Sequence, residues 1–202
     1  MLLQPPMHHP ALELIREEHE AFASVLDALR DTVDSSRRTD VPPDFERLRA
    51  MLFYMDEMPA RLHHAAEEQL LFPRIRERCP PLRPVLDRLE AEHSRGESTV
   101  HSLERALTAW EVMGDDRREA FELLLRGYVE GYRGHMEVEE NYVLAVAQDY
   151  LSEADWLDLH SAFARQRGSL AAAATAAGHR ALLHRILDNN PSAPSKTSSR
   201  GG

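Results

Sequence analysis

Two short segments of the chain carry a histidine and a glutamate four residues apart. The first pair is His63 and Glu67, followed by an apolar run that Pro73 closes; the second pair is His135 and Glu139. On a helix, positions i and i+4 lie one above the other on the same face. Each segment would therefore direct one imidazole and one carboxylate at the same point, as a transition-metal site requires.

The first segment contains a competing pair in the next register, His64 and Glu68. We assign the inward direction to His63 and Glu67, because that face continues along the helix into its apolar positions. Glu68 and Glu140 each follow a candidate ligand by one residue, so their side chains point about 100° away around the helix. They are either hydrogen-bond partners of the ligands or solvent-exposed acids.

Two isolated histidines, His19 and His93, interrupt apolar stripes with helical periodicity. Alone, each is best explained as a hydrogen-bonded histidine of the core or its boundary. Counted from the predicted loops, however, the candidates lie at matching heights. His19 lies about 15 residues and His63 about 19 residues from the first loop. Glu67 lies about 12 and His93 about 11 residues from the second loop. His93 lies about 20 and His135 about 19 residues from the third loop. All six therefore fall in one layer about one helical turn thick.

Six such groups predict a metal centre. Two carboxylates and several imidazoles inside a helical bundle suit a pair of iron or manganese ions bridged by the carboxylates. A structural zinc site would need four ligands and favour cysteine, and Cys79 is the single cysteine. The alternative is a solvated or salt-bridged polar layer, which is costly on core positions unless a metal holds it.

The elements that position these residues are predicted to be helices. Glycine is sparse at 9 residues and aromatics are 6%, and alanine, leucine, glutamate and arginine dominate. The apolar periodicity predicts an all-α, up-down-up-down four-helix bundle. Its helices are predicted at about 11–34, 45–78, 82–112 and 117–148, with a kink at Pro59 and loosened turns at Pro73. The three glycines 127, 131 and 134 of the last helix predict a close helix crossing or a widened site near Gly131 and Gly134.

The domain organisation follows from the same pattern. Residues 1–9 are predicted to be an irregular lead and 10–150 the bundle. Residues 151–189 form a C-terminal helical extension, and 190–202, rich in Pro, Ser and Gly, a disordered tail.

Charge and composition exclude several classes of partner. A net charge of -10 argues against nucleic acid or an anionic membrane surface, although it permits a basic redox partner. The single cysteine excludes an internal disulfide, and no segment approaches the about 20 apolar residues of a membrane span. The start lacks the features of a signal peptide, so we expect a cytoplasmic protein. The oligomeric state is not indicated.

The chain resembles the hemerythrin-like (HHE cation-binding) family over about residues 11–148. The matching elements are His19, then His63-x3-Glu67-Glu68 with Leu71-Phe72-Pro73, then His93, and finally His135-x3-Glu139. The resemblance implies a four-helix bundle that holds a non-haem di-iron centre, bridged by two carboxylates and an oxo or hydroxo group. Manganese or zinc are the alternative metals.

One position departs from this family. Oxygen-carrying hemerythrins place a second histidine four residues after the third-helix one, and here that position is Glu97. A carboxylate there adds negative charge, which stabilises the ferric state and weakens reversible oxygen binding. Glu97 is a candidate seventh ligand. Alternatively, its carboxylate is a base beside the ligands or a solvated acid.

The predicted function is therefore that of a di-iron protein that senses or processes a small oxidant: dioxygen, peroxide or nitric oxide. An iron-handling or regulatory metal-binding protein without turnover is the alternative. A structural bundle with a vestigial site is a third interpretation, against which the number of ligands argues. The sequence does not decide whether the protein is an enzyme.

Overall fold

The computed structural model describes residues 9–58, 63–168 and 170–188, although the side chains of 167, 168 and 170–176 are not among the described parts. Over these residues all regular structure is helical and no strand is formed, as the composition predicted. None of the described helices is long and apolar enough to cross a membrane.

Helix α1 spans Pro10–Thr39, with proline at its first turn, where the missing N–H costs nothing. It extends beyond the predicted end at residue 34, so that prediction was wrong. Ser36 is buried inside the last turns, and its hydroxyl donates to the carbonyl of Val41 at 2.6 Å. The helix ends instead at Asp40, which takes the left-handed conformation with φ 54°.

The second predicted helix is divided into α2 (Phe45–Met58), α3 (His64–Ala66), a π-helical turn (Glu67–Leu71) and α4 (Phe72–Arg78). The kink predicted at Pro59 lies outside the described residues. Loosened turns were predicted at Pro73, but the wide turn lies just before it and ends at Leu71, while Pro73 stands in the first turn of the α-helix that follows. Proline has no N–H to donate to the carbonyl four residues earlier, which favours such an irregularity.

The third and fourth predicted helices correspond to α5 (Arg83–Met113), α6 (Arg118–Val138), a second π-helical turn (Glu139–Leu144) and α7 (Ala145–Tyr150). Short 3₁₀ turns, Pro80–Leu82 and Asp115–Arg117, precede α5 and α6. Gly114 allows the sharp turn before α6 because its φ is 88°, a value that side chains disfavour.

Two further helices follow, α8 (Glu153–Gly168) and α9 (Leu170–Asp188). Asp155 fixes the start of α8: its carboxylate accepts from the Ser152 hydroxyl at 2.7 Å and from Arg74 of α4 at 3.0 Å. Helix α9 packs against α1 and α2, and Ile186 is buried there. Helix α8 packs against α1, which carries His19, and against the π-helical turn that carries Glu67. The extension is therefore attached to elements that carry candidate ligands. The predicted lead at 1–9, apart from His9, and the predicted tail at 190–202 lie outside the described residues.

Buried apolar side chains form two clusters. One contains Phe22 to Val33 of α1, with α2 and most of α5 and α6; the other contains Ala11 to Ile15, with α4, the start of α5 and α7. All four histidines at 19, 63, 93 and 135 are buried. His19, His63 and His93 fall between the two clusters along the chain, and His135 lies at the edge of the first cluster, next to its last α6 member, Met136. A polar layer thus separates two apolar cores.

Candidate metal centre

Four buried side chains converge in this layer. His19, His63, Glu67 and Glu139 each offer a ligand atom, and these atoms lie within 4.8 Å of one another. His19 Nε2 lies 2.9 Å from His63 Nε2, and Glu67 Oε1 lies 2.9 Å from the same nitrogen of His63. Metal–ligand bonds of about 2.1 Å separate neighbouring ligand atoms by about 3 Å. The group can therefore hold a metal ion.

A second imidazole pair lies on the other side of the same carboxylates. His93 Nε2 lies 3.1 Å from His135 Nε2. Glu67 directs Oε1 at His63 but Oε2 at His93, 3.4 Å from its Nε2. Glu139 Oε2 lies 3.4 Å from His19 Nε2 and 3.8 Å from His135 Nε2. Both carboxylates are thus shared between the two imidazole pairs.

The carboxylate oxygens of this centre have no satisfactory partner in the described part of the chain. Both oxygens of Glu67 and both of Glu139 are buried and accept no hydrogen bond of good geometry. Glu67 and Glu139 are each 0% exposed, and a buried unsatisfied carboxylate is costly. Metal ions bound between the imidazole pairs would satisfy these oxygens, so the residues present fit a metal centre.

A glutamate holds the outward-facing nitrogen of each of the four imidazoles. Nδ1 of His19 lies 2.6 Å from Glu140 and that of His93 2.7 Å from Glu68. The corresponding partners are Glu18 for His63 at 2.9 Å and Glu92 for His135 at 3.1 Å. A proton held on Nδ1 leaves the lone pair of Nε2 free for a metal and fixes the ring orientation.

The roles of Glu68 and Glu140 were left open between hydrogen-bond partner and solvent-exposed acid, and Glu18 and Glu92 were not predicted. A signal was nevertheless present, because Glu18-His19 on α1 repeats as Glu92-His93 on α5. In the structure the glutamate of each Glu-His dipeptide contacts the histidine of the His-x3-Glu-Glu segment that follows it in the chain. The last glutamate of each His-x3-Glu-Glu segment in turn contacts a dipeptide histidine: Glu68 contacts His93, and Glu140 contacts His19. The two halves of the centre are therefore equivalent in their contacts.

The two π-helical turns begin at the shared carboxylates themselves, Glu67 and Glu139. Such wide turns are rare and frequently occur at functional sites. Neither was predicted, because helical periodicity alone does not reveal a local insertion in the hydrogen-bond pattern.

Burial and neighbouring charges shift the pKa values of the metal-free centre. Burial and the charge of Glu139 raise the pKa of Glu67 to about 8. Burial alone would also raise the pKa of Glu139, but the adjacent His19 imidazole, 3.4 Å away, outweighs burial and lowers that pKa to about 2. Burial lowers the pKa of His93 to about 4. For His63, burial is outweighed by Glu67 and Glu18, and the pKa lies well above its ordinary value.

His64 and Glu97 lie outside this convergence. The ring of His64 stacks on that of His93, with centroids 3.7 Å apart, and His64 Nε2 lies 3.2 Å from the Tyr132 hydroxyl. The Glu97 side chain is 47% exposed, and the nearest of these imidazole nitrogens, His64 Nδ1, is 3.9 Å away. Of the seven predicted ligands, the structure brings six together and leaves Glu97 apart, in the position of a solvated acid.

The outer glutamates provide a test of the imidazole orientation. Glu92→Ala removes the acceptor for His135 Nδ1, and we expect metal affinity to fall by about 10–100-fold, the usual effect of losing such a partner. Metal titration in a competition assay with a chelator measures the change. Glu97→Ala on the same helix is the matched control and should leave the affinity unchanged; a comparable loss there would make Glu97 a ligand.

Fold and site together define a helical metal-binding protein. The profile of the hemerythrin HHE cation binding domain matches residues 11–147, and the chain belongs to this family. The resemblance inferred from the sequence is thereby confirmed, including its extent. No curated protein and no solved structure shows a significant match to the chain.

Proposed function

We propose that the chain holds two iron ions at this centre and uses them to sense or reduce a small oxidant: dioxygen, peroxide or nitric oxide. The observation that carries the proposal is the position of Glu67, whose two oxygens face different imidazole pairs. One pair is His19 with His63, and the other is His93 with His135. A single ion would not require the second pair.

The residues have separate roles in this proposal. The four imidazoles bind through Nε2, and Glu67 and Glu139 neutralise charge between the two positions. Bound iron would supply one-electron redox chemistry. Each position then has two imidazoles and two shared carboxylates, four protein ligands, which leaves room for an oxidant. The outer glutamates keep each imidazole in its metal-binding tautomer.

The same proposal includes the finer architecture. Along α1 and α5 the chain passes from the cluster around Ala11 to the cluster around Phe22, and along α2–α4 and α6–α7 it passes back. This alternation supports an up-and-down arrangement of four helical segments, with α8 and α9 as an extension.

The test is metal content together with reactivity. Protein loaded with ferrous iron should contain about two ions per chain and, on adding hydrogen peroxide, develop near-ultraviolet charge-transfer bands. His63→Ala should lose the metal, whereas His64→Ala should keep it. Stably bound iron without reaction toward peroxide, dioxygen or nitric oxide would favour the iron-handling alternative, and a single ion per chain would contradict the paired centre.

A further inference from the structure

A groove of about 440 Å³ opens between α5 and α6 and reaches the metal centre from one side. Its deep end is formed by His64, His93, His135 and Tyr132, all buried. The two histidines of the first imidazole pair, His19 and His63, do not line the groove. The groove therefore leads to the position between His93 and His135.

Glycines create this space. Gly96 of α5 and Gly127 and Gly131 of α6 line the groove, and a Cβ atom added at any of them would meet no atom within 4 Å. A close helix crossing is thus excluded at these glycines, and of the two predicted explanations the widened site applies to Gly127 and Gly131. Gly134 does not line the groove. Glycine is less favourable than alanine in a helix interior, so the opening is made at the expense of stability.

An unsatisfied polar group lies at the deep end. His64 is only 4% exposed, and its Nδ1 has no hydrogen-bond partner in the described part of the protein. When the Tyr132 hydroxyl donates to Nε2 of His64, Nδ1 carries the ring proton and requires an acceptor. A buried donor without an acceptor is costly, and an oxygen atom of a bound ligand would relieve that cost.

The size and lining of the groove indicate an organic ligand. Small-molecule sites have volumes of about 300–1,000 Å³, whereas a water molecule occupies about 30 Å³, so the groove far exceeds the needs of dioxygen or hydrogen peroxide. The partly exposed Leu123 and Leu124 and the buried Tyr128 ring provide apolar surface in the groove. Glu92, Arg95 and Thr99 add polar side chains to its lining. A molecule with an apolar body and an oxygen-containing head fits this mixed lining.

We propose that this groove binds an organic hydroperoxide, with the peroxide oxygens toward His64 and the carbon body against the leucines and Tyr128. The inference rests on the proposed redox function of the centre. The O–O bond of ROOH would break as two protons and two electrons are taken up, which yields the alcohol ROH and water. In iron-loaded protein the two electrons would come from two ferrous ions, which become ferric, and the two protons from the solvent, so a single turnover would need no other reductant.

The first measurement is binding of 2-phenylpropan-2-ol, the alcohol product of cumene hydroperoxide, to the oxidised protein by ligand-observed NMR. We expect saturable binding that weakens about tenfold or more in Gly127→Leu and Gly96→Leu, because a leucine on either wall fills the groove. Glu130→Leu places the same side chain at an exposed position of α6 that does not line the groove, and should bind like the wild type. Absent binding, or binding that neither glycine variant weakens, would overturn the inference.

The second measurement compares oxidants in stopped-flow oxidation of the ferrous protein. Gly127→Leu should slow the reaction with cumene hydroperoxide about tenfold more than it slows the reaction with the smaller hydrogen peroxide. Equal slowing of both oxidants would contradict a site for the organic body. If wild-type protein binds no iron or ignores hydrogen peroxide, the proposed function fails, and alcohol binding alone then decides whether the groove is an organic-ligand site.

Discussion

Replacing Glu67 by glutamine is expected to remove metal from both of the proposed positions of the centre. The two oxygens of Glu67 face His63 at 2.9 Å and His93 at 3.4 Å, so one substitution affects both imidazole pairs. An amide keeps the shape but loses the negative charge and one of the two donor oxygens. We expect metal content, measured by mass spectrometry after dialysis, to fall about tenfold or more.

The same substitution should stabilise the metal-free protein against unfolding. Burial beside Glu139 raises the pKa of Glu67 to about 8, which shows that the ionised carboxylate is unfavourable there without a metal. At pH 9 the metal-free Glu67→Gln variant should therefore unfold at a higher temperature than the metal-free wild type. A purely structural glutamate would give lower stability in both states.

The matched control is Glu137→Gln, the same change at an exposed position of α6. It should leave metal content and both unfolding temperatures unchanged. A Glu67→Gln protein that retains one tightly bound ion would show that the carboxylate is not shared, and one that retains two would place the metal elsewhere.

The imidazoles and shared carboxylates were predictable because they depend on helical geometry within single segments. The i,i+4 spacing of His63 with Glu67 and of His135 with Glu139 fixes their common direction, and matching distances from the loops bring the segments to one height. Side-chain type then selects the chemistry. The structure brings these residues and His19 and His93 together at the distances given above.

The outer contacts depend on how the helices rotate against one another, which no single segment encodes. Glu18 is adjacent to His19 but contacts His63, 45 residues away. Glu140 likewise contacts His19 across 121 residues. Such pairs could have been inferred only by noticing that the Glu-His dipeptide occurs twice, and then by assuming that the two halves are equivalent.

His64 shows what the choice of a single inward register left out. The apolar continuation of the helix favours His63 as the inward residue, and the structure places it in the cluster. His64 was left as a neighbour of ambiguous direction, yet it is buried against His93 and Tyr132. The groove beside His64 was predicted only as one of two explanations for the glycines of α6, because a glycine shows where side-chain volume is missing but not whether a neighbouring helix fills the space.

Removing the metal is expected to destabilise the protein, and by a larger amount as the pH rises. With free metal at about 1,000 times its dissociation constant, the loaded form should be about 4 kcal/mol more stable than the stripped form. For a chain of this size that corresponds to a difference in melting temperature of about 8–16 °C. Thermal unfolding with and without a strong chelator measures it at a single pH.

The direction of the pH dependence follows from groups whose pKa is raised by folding. In the folded, metal-free protein Glu67 has a pKa of about 8, against an ordinary 4.5, and His63 has a pKa well above its ordinary 6.5. Both groups therefore bind protons more tightly in the folded protein than in the unfolded chain. Their stabilising contribution is present at low pH and is lost as the pH rises through the folded values. The lowered pKa of His93, about 4, acts between pH 4 and 6.5 and adds nothing above pH 7. Between pH 7 and 9 the stripped protein should therefore lose stability, by up to about 1.4 kcal/mol per pH unit for each proton released.

The loaded protein should show the opposite trend, because metal and protons compete for the same Nε2 and carboxylate atoms and rising pH removes the competitor. Denaturant unfolding at pH 7, 8 and 9, each with metal and with chelator, separates the two effects. We expect the gap between the loaded and stripped forms to widen at each step. A stripped protein that gains stability from pH 7 to 9 would mean that Glu67 is already ionised at neutral pH, and hence that the polar layer is stable as a set of ion pairs without metal.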